Sequence, residues 1–375
     1  MNFIEEFKKG QAGGNQGLSL GEGLKQLDAT LNGLQRRRIY AVASAPKVGK
    51  TTLIDYGFVI QPYLDAMRKQ LKLDVDYFSF EIDRVSKEFD FAAYFLWQDH
   101  MMENVELPEG VTRGGEKRIP INPDYLRGRL LDDNGKTILI DYNVYLRLKE
   151  VYNNRIIPLF GEFDTKGKQL KPGVIRVIEH RNNPTGIYKY LWEKAEREGE
   201  FVREGGEHNG RITGYIPKDE EKFTLIVTDH LRKLIPERNF TLKQTVDKYL
   251  EYSVELRNLC GYTFVHIIHL NRNLTSTERI KLFDDQLYPN GDDVKESGNV
   301  SEDCDYLLTL FNPNDERYNL TRYFGIPIKG KGGEELYPNL RTIHLVESRH
   351  CAYPRHFAVN MFGESKRFEK CNLKG

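Results

Sequence analysis

The stretch RIYAVASAPKVGKTT, residues 38–52, constrains what this chain can fold into more than any other part of it. The pattern G-x-x-x-x-G-K-[ST] cradles phosphate groups: backbone N–H groups wrap them, the lysine reaches the outer phosphates and the hydroxyl binds a divalent cation. In SAPKVGKT the demanding places hold Gly49, Lys50 and Thr51, while Ser44 stands where the first glycine belongs. The segment follows the strand-like run IYAVA and opens the helix-like run TTLIDYGFVI, which is the context the motif requires. The first glycine sits where the strand ends and mainly needs to be small, a demand that serine meets. Taken alone, the stretch is a working site, a decayed one, or a GKT tripeptide placed by chance in a strand–helix turn.

The rest of the chain fits a layered α/β fold. Apolar, β-rich runs occur at RIYAVA, VDYFSF, VIRVIEH, FTLIVTD, YTFVHIIHL, YLLTLF and RTIHLVE. Helical patterns lie between many of them: after Thr51, after Asp83, at GIYKYLWEKAEREGE and at LKQTVDKYLEYSVELRNL, where Val246, Tyr249, Leu250 and Val254 recur at helical spacing. Alternation of this kind implies a largely parallel sheet covered by helices on both faces. Residues 1–17 read as an amphipathic arm, NFIEEFKKG, plus a flexible QAGGNQG, either docked elsewhere or frayed. Three stretches, 103–140, 201–222 and 312–338, look inserted, each longer than the usual connection of about 4–6 residues. The first two read as surface loops or small hairpins, and KGKGG at 329–333 as a hairpin tip or a finger toward a ligand.

Composition narrows the function. A chain of 375 residues accommodates one large or two ordinary domains. Lys+Arg and Asp+Glu are equal at 55 each, so no global field coats duplex DNA, although a local basic groove remains open. The four cysteines, 260, 304, 351 and 371, lack CxxC or zinc-like spacing and read as reduced thiols of a cytoplasmic protein. The N-terminal MNFIEEFKKG lacks an apolar signal core, and no apolar run approaches the roughly 20 residues of a membrane span.

A phosphate loop that works needs partners. Glu81 follows the second strand, at the edge where open α/β sheets bind ligands, and Asp229 ends the apolar strand FTLIVTD. Either is also an ordinary helix cap. His266 and His269, three apart on a strand, point to opposite faces and make a poor metal pair. His266 reads as a core residue and His269, at the strand end, as a γ-phosphate sensor or a cap.

In this order the motifs resemble the RecA-like motor core of DnaB-type hexameric replicative helicases, of a phage type without collar and primase domains. LSLGEGLKQLDATLNGLQ resembles the family's entry into the first strand; Ser44 and Pro46 match its variant of the loop; FSFEI, LIVTDHLRKL, IIHLNRNL, DDVKESGNVSEDCDYLLTLF and LVESRHCAYP resemble five further segments. The likeness spans residues 18–368. It implies an ATP-dependent helicase translocating on single-stranded DNA as a ring, with ATP and Mg²⁺ as cofactors. Ser44, Ala45, Pro46, Lys47, Val48, Gly49, Lys50, Thr51 and Thr52 would bind nucleotide, and Thr51 and Asp229 the metal. Glu81 and Lys50 would act in catalysis, with His269 sensing the γ-phosphate and Arg349 reaching a neighbouring subunit's site. Arg272, Lys281, Lys295, Glu296 and Gly298 would meet DNA. A primase or loader is the further partner class. Departures fall at Glu347, where the family has lysine, and at Cys351, where it has glycine. The rival expectations are a RecA-fold ATPase that does not unwind, such as a recombination mediator, a loader or a clock-like regulator, and a non-catalytic nucleotide-binding scaffold.

Overall fold

The computed structural model describes residues 3–11, 16–205, 210–271, 273–294 and 299–371. Nine strands form one sheet: β1 (Ile39–Ser44), β2 (Leu73–Ser79), β3 (Ile175–Ile178), β4 (Phe223–Asp229), β5 (Thr263–His269), β6 (Tyr306–Phe311), β7 (Leu340–Ser348), β8 (Arg355–Phe362) and β9 (Arg367–Lys370), in the order β9-β8-β7-β6-β1-β5-β4-β2-β3. From β3 to β6 all pairings are parallel. Beyond β6 the chain turns back on itself in antiparallel hairpins. The sheet is therefore mixed but mostly parallel, the α/β architecture the alternating runs predict. RHFAVNMF and RFEK, which carry no clear strand signal in the sequence, complete its antiparallel edge.

Strand β1 shows why the core divides into two. All six of its residues are inaccessible, and its side chains alternate between sides: Tyr40 and Val42 join one apolar cluster, Ile39, Ala41 and Ala43 the other. The first cluster takes in Leu53, Ile54 and Phe58 from the helix that starts at Lys50–Leu53 (α1), and Phe91 and Phe95 from Arg84–His100 (α2). That first helix continues through a π-helical stretch, Ile54–Ile60, into Gln61–Arg68. The second cluster takes in Ile187 and Leu191 from Pro184–Glu198 (α3), and Val246, Tyr249 and Leu250 from Leu242–Cys260 (α4). Helix α4 begins at a capping box, Thr241 with Gln244, and ends at Gly261 in the left-handed region; such an N-cap contributes about 1 kcal/mol.

The stretches read as insertions differ among themselves. Within 201–222, the hairpin Gly199–Glu204 with Arg211–Pro217 stands largely exposed. Within 103–140, Asn104–Glu106 pairs with Arg118–Pro120 in the small hairpin the sequence suggests, but Ile119, Ile121, Tyr125, Leu126, Leu130 and Ile138 are buried in the first cluster, so the stretch is also anchored in the core. Its high content of Gly, Pro and charge hides six apolar anchors, among them Ile119 in a short strand and Tyr125 and Leu126 in a one-turn helix. Within 312–338, a bridge between Lys329 and Glu335 makes 330–333 a hairpin tip.

A candidate phosphate and metal site at the C-terminal sheet edge

Chain direction places the site. Strand β1 leads by way of α1 to β2, on one side of it, whereas β5 leads to β6 on its other side. The C-terminal end of β1 is therefore the point where connections diverge and leave a crevice. Residues 45–49 turn there, and α1 starts at Lys50. Ser44 is the last residue of the strand, level with His269 and Leu310, and is wholly inaccessible. A small side chain is what this position takes. Val48 is buried and anchors the turn from below, while Pro46 and Lys47 are exposed at its tip.

Gly49 is held by its backbone conformation, with a side chain there also forcing Met361 to move. Its φ of 110° lies in the region that disfavours side chains, and a Cβ there would stand 2.2 Å from the Met361 sulfur. Lys47 also has positive φ, 65°. Arg341 Nε donates to the Val48 carbonyl at 3.3 Å and pins the loop from β7. Backbone N–H groups at the start of a helix, with Lys50, Thr51 and Thr52 behind them, suit an anion of the phosphate class.

Beside the loop, Thr51 Oγ1 donates to Asp229 Oδ2 at 3.2 Å. Asp229 is 2% exposed, and its other oxygen, Oδ1, is buried without a hydrogen-bond partner. Burial raises this carboxyl above its ordinary range, opposed by the cations Lys87 and Lys50. A buried carboxylate with a bare oxygen next to a hydroxyl has an unmet demand for positive charge, so the donor set fits a divalent cation. Among the described residues no cluster of three or more His, Cys, Asp or Glu has ligand geometry. Mg²⁺ takes one or two protein oxygens plus phosphates and water, and Thr51 with Asp229 offers two such oxygens. Behind the pair, Lys87 bonds both oxygens of Asp55 at 3.2 Å, and Tyr77 donates to the same carboxylate at 2.9 Å.

Glu81 lies just past β2. Its Oε1 receives Lys233 Nζ at 3.0 Å and His230 Nε2 at 3.2 Å. Burial alone would raise this carboxyl, but Lys233 and His230 outweigh it and hold it below the usual range. His230 is 3% exposed, and burial lowers its imidazole to about 4. Its ring meets that of His269 edge to face at 4.2 Å. His269 is lowered to about 3, by burial first and by Lys50 next. His266 points away into the second core layer, fully buried against Tyr249 and Phe264. Glu81, Lys50, Thr51, Asp229 and His269 thus gather at one edge. His230, Lys233 and Met361 join them, although the sequence alone does not single them out; the dipeptide Asp-His after an apolar strand is the visible trace of the first.

Arg349 lies elsewhere. Ser348 pairs with Tyr306, which pairs with Tyr40, whereas the phosphate loop follows Ser44. The offset is four residues, about 13 Å along the strands. Arg349 is exposed, and its N–H is held by the Asp305 carbonyl at 3.0 Å. Asp305 also accepts from Arg257 at 3.0 Å and pairs with His350 at 2.8 Å, which anchors the turn bearing the arginine. Lys281 is exposed on the helix Thr277–Phe283, in the excursion that follows β5. That excursion returns to the same sheet edge through a bridge between Leu270 and Val294, tightened by Arg279 on the buried Asp293 at 2.6 Å. Arg272, Lys295, Glu296 and Gly298 lie outside the described residues.

No protein-family model and no curated protein sequence matches the chain. Solved structures do. The chain is similar to a structure described as an ATPase domain at 12% identity and TM-score 0.62, covering 98% of this chain and 97% of that one. It is equally similar to a structure described as "The Structure Of A DnaB-Like Replicative Helicase And Its Interactions With Primase", at 13% identity and TM-score 0.62, over 98% of this chain and 66% of that one. The fold is the RecA-like α/β fold shared with these two structures, as the order of motifs predicts. No described helix is long and apolar enough to cross a membrane.

Proposed function

We propose that this chain, built on the RecA-like core, is an ATP-driven motor of the helicase type that moves along single-stranded DNA as a ring of like subunits, a hexamer by analogy of fold. The observation that carries the reading is the gathering of Lys50, Thr51, Asp229 with its bare Oδ1, and Glu81 at the one sheet edge where the glycine-constrained loop turns.

In this reading the backbone N–H groups of Ala45 and of Lys47 to Thr52, together with the Lys50 ammonium, hold the phosphates. Thr51 and Asp229 would hold Mg²⁺, which when bound would supply positive charge toward the phosphate oxygens. Glu81 accepts a hydrogen bond from the attacking water and polarises it, while neutral His269 faces the γ-phosphate. Arg349 stands at the far edge of the sheet from its own loop, so it serves a neighbouring subunit's phosphate, where such residues are worth about 10³-fold or more. Lys281, with Arg272, Lys295, Glu296 and Gly298, supplies contacts to a single strand, mostly through its backbone. A primase or a loader is the further partner class. The compartment that fits is the cytoplasm, the host's if a phage encodes the chain.

The test is the rate of ATP hydrolysis with and without single-stranded DNA, beside Lys50→Ala. DNA-stimulated turnover lost in the variant is the expected result. Turnover that no nucleic acid alters or binds removes the helicase reading; turnover without strand displacement leaves a non-unwinding ATPase; no hydrolysis by assembled protein leaves the scaffold.

A further inference from the structure

The Glu81 carboxylate does not stand alone in the crevice. Lys233 and His230 reach the same oxygen, Oε1, and both come from the short turn that follows β4. That turn is rigid: Leu231 and Leu234 are wholly buried, Lys233 N–H bonds the His230 carbonyl at 3.0 Å, and Arg181 holds the Lys233 carbonyl at 2.6 Å. A carboxylate only accepts, so His230 Nε2 carries the proton and Nδ1 is left as a lone pair. Nδ1 is buried and has no hydrogen-bond partner, an arrangement that suits the neutral ring and would orphan a buried N–H in the charged one. The opposite flank of His230 meets the His269 ring.

We propose that Lys233 and His230 are positioning residues for Glu81, fixing it by one carboxylate oxygen and tying its placement to His269 through the edge-to-face imidazole contact. The inference rests on the ATPase reading, in which Glu81 polarises the attacking water, and it names the residues of this chain that aim that carboxylate. A free glutamate side chain has several rotamers, and catalysis by proton transfer depends on one of them. Holding Oε1 from a turn anchored on β4 also couples Glu81 to the strand that carries Asp229. The other charged or titratable groups around the cluster are Lys50, Arg232 and His269. Asp229, raised by burial, is the other carboxyl at this edge, and His230 and His269 titrate at about 4 and about 3, so the difference between the two Lys233 variants, and not the limb alone, reports Glu81.

The experiment compares wild type, Lys233→Met, Lys233→Arg and His230→Phe as full chains. Turnover is measured against pH, and ATP binding separately by equilibrium titration. Lys233→Met is expected to keep ATP affinity, to lose about tenfold or more in kcat, and to move the acid limb of kcat/KM upward by about half a unit or more, because an ammonium beside the carboxylate has gone. Lys233→Arg restores most of both. His230→Phe lowers kcat without restoring the limb, and if it fails to fold, the Lys233 pair still decides. A Lys233→Met enzyme with wild-type kcat and an unmoved limb overturns the inference while the ATPase reading stands, and so does a rise in kcat. Wild type that binds but never hydrolyses ATP overturns the ATPase reading itself, and this inference with it.

Discussion

The two ends of the central strands differ in kind. At the C-terminal end, Ser44, Asp229 and His230 are almost inaccessible, and the groups that meet come from α1, β2, β4 and β5 of one chain. At the N-terminal end, Arg349 is exposed on a turn held by Asp305, with the chain's own phosphate loop at the opposite edge. The first region gathers a buried carboxylate with an unpaired oxygen, a lysine and a hydroxyl. The second is a well-anchored exposed cation, which in the proposed reading would complete a neighbouring subunit's site. If the proposed reading holds, turnover would require a neighbour in place, because the arginine and the loop would come from different subunits.

That contrast can be broken in order of effect. Lys50→Ala removes the cation on the phosphates and should lower ATP turnover by about 10³-fold or more, read in a steady-state assay. Arg349→Ala should cost about 10³-fold in kcat while leaving nucleotide affinity nearly unchanged. The two inactive proteins, mixed, should regain activity, since one brings an intact loop and the other an intact arginine; mixtures that stay inactive would place both functions within one chain. Acidification is a milder probe. Burial holds His230 at about 4 and His266 and His269 at about 3, below the roughly 6.5 of the unfolded chain. The unfolded state therefore binds more protons below about pH 6.5, and stability present above that pH declines toward pH 4, seen as a falling denaturation midpoint. His266→Phe should flatten that decline. Smallest is Lys281→Ala, exposed in the excursion that returns to the loop's edge of the sheet. It should weaken single-strand binding slightly and reduce the salt slope by about 0.7, the share of one phosphate contact.

How much of this the residues announce depends on how local each constraint is. The loop from Ser44 to Thr52 is legible because its demands are met within a few consecutive residues: a small strand end, a glycine where φ is positive, then lysine and hydroxyl. The parallel strands are legible because β1, β4 and β5 are covered on both faces and so read as unbroken apolar runs. Strands β8 and β9 are not, since one is half-exposed and the other only four residues long. The packed stretch 103–140 reads as a loop because its buried residues are scattered and no period links them.

For the site itself, the sequence determined the chemistry on offer: a phosphate loop, an aspartate ending an apolar strand, a glutamate after another, and an arginine near a third. Only the tertiary structure decided which of these meet. Parallel pairing of β1 with β5, β5 with β4 and β4 with β2 brings Glu81, Asp229 and His269 to the end where SAPKVGKT turns, and the antiparallel return of β7 carries Arg349 to the other end. Which end a strand presents depends on its direction in the sheet, and direction is a property of pairing between segments far apart in the chain, so no short run of residues contains it.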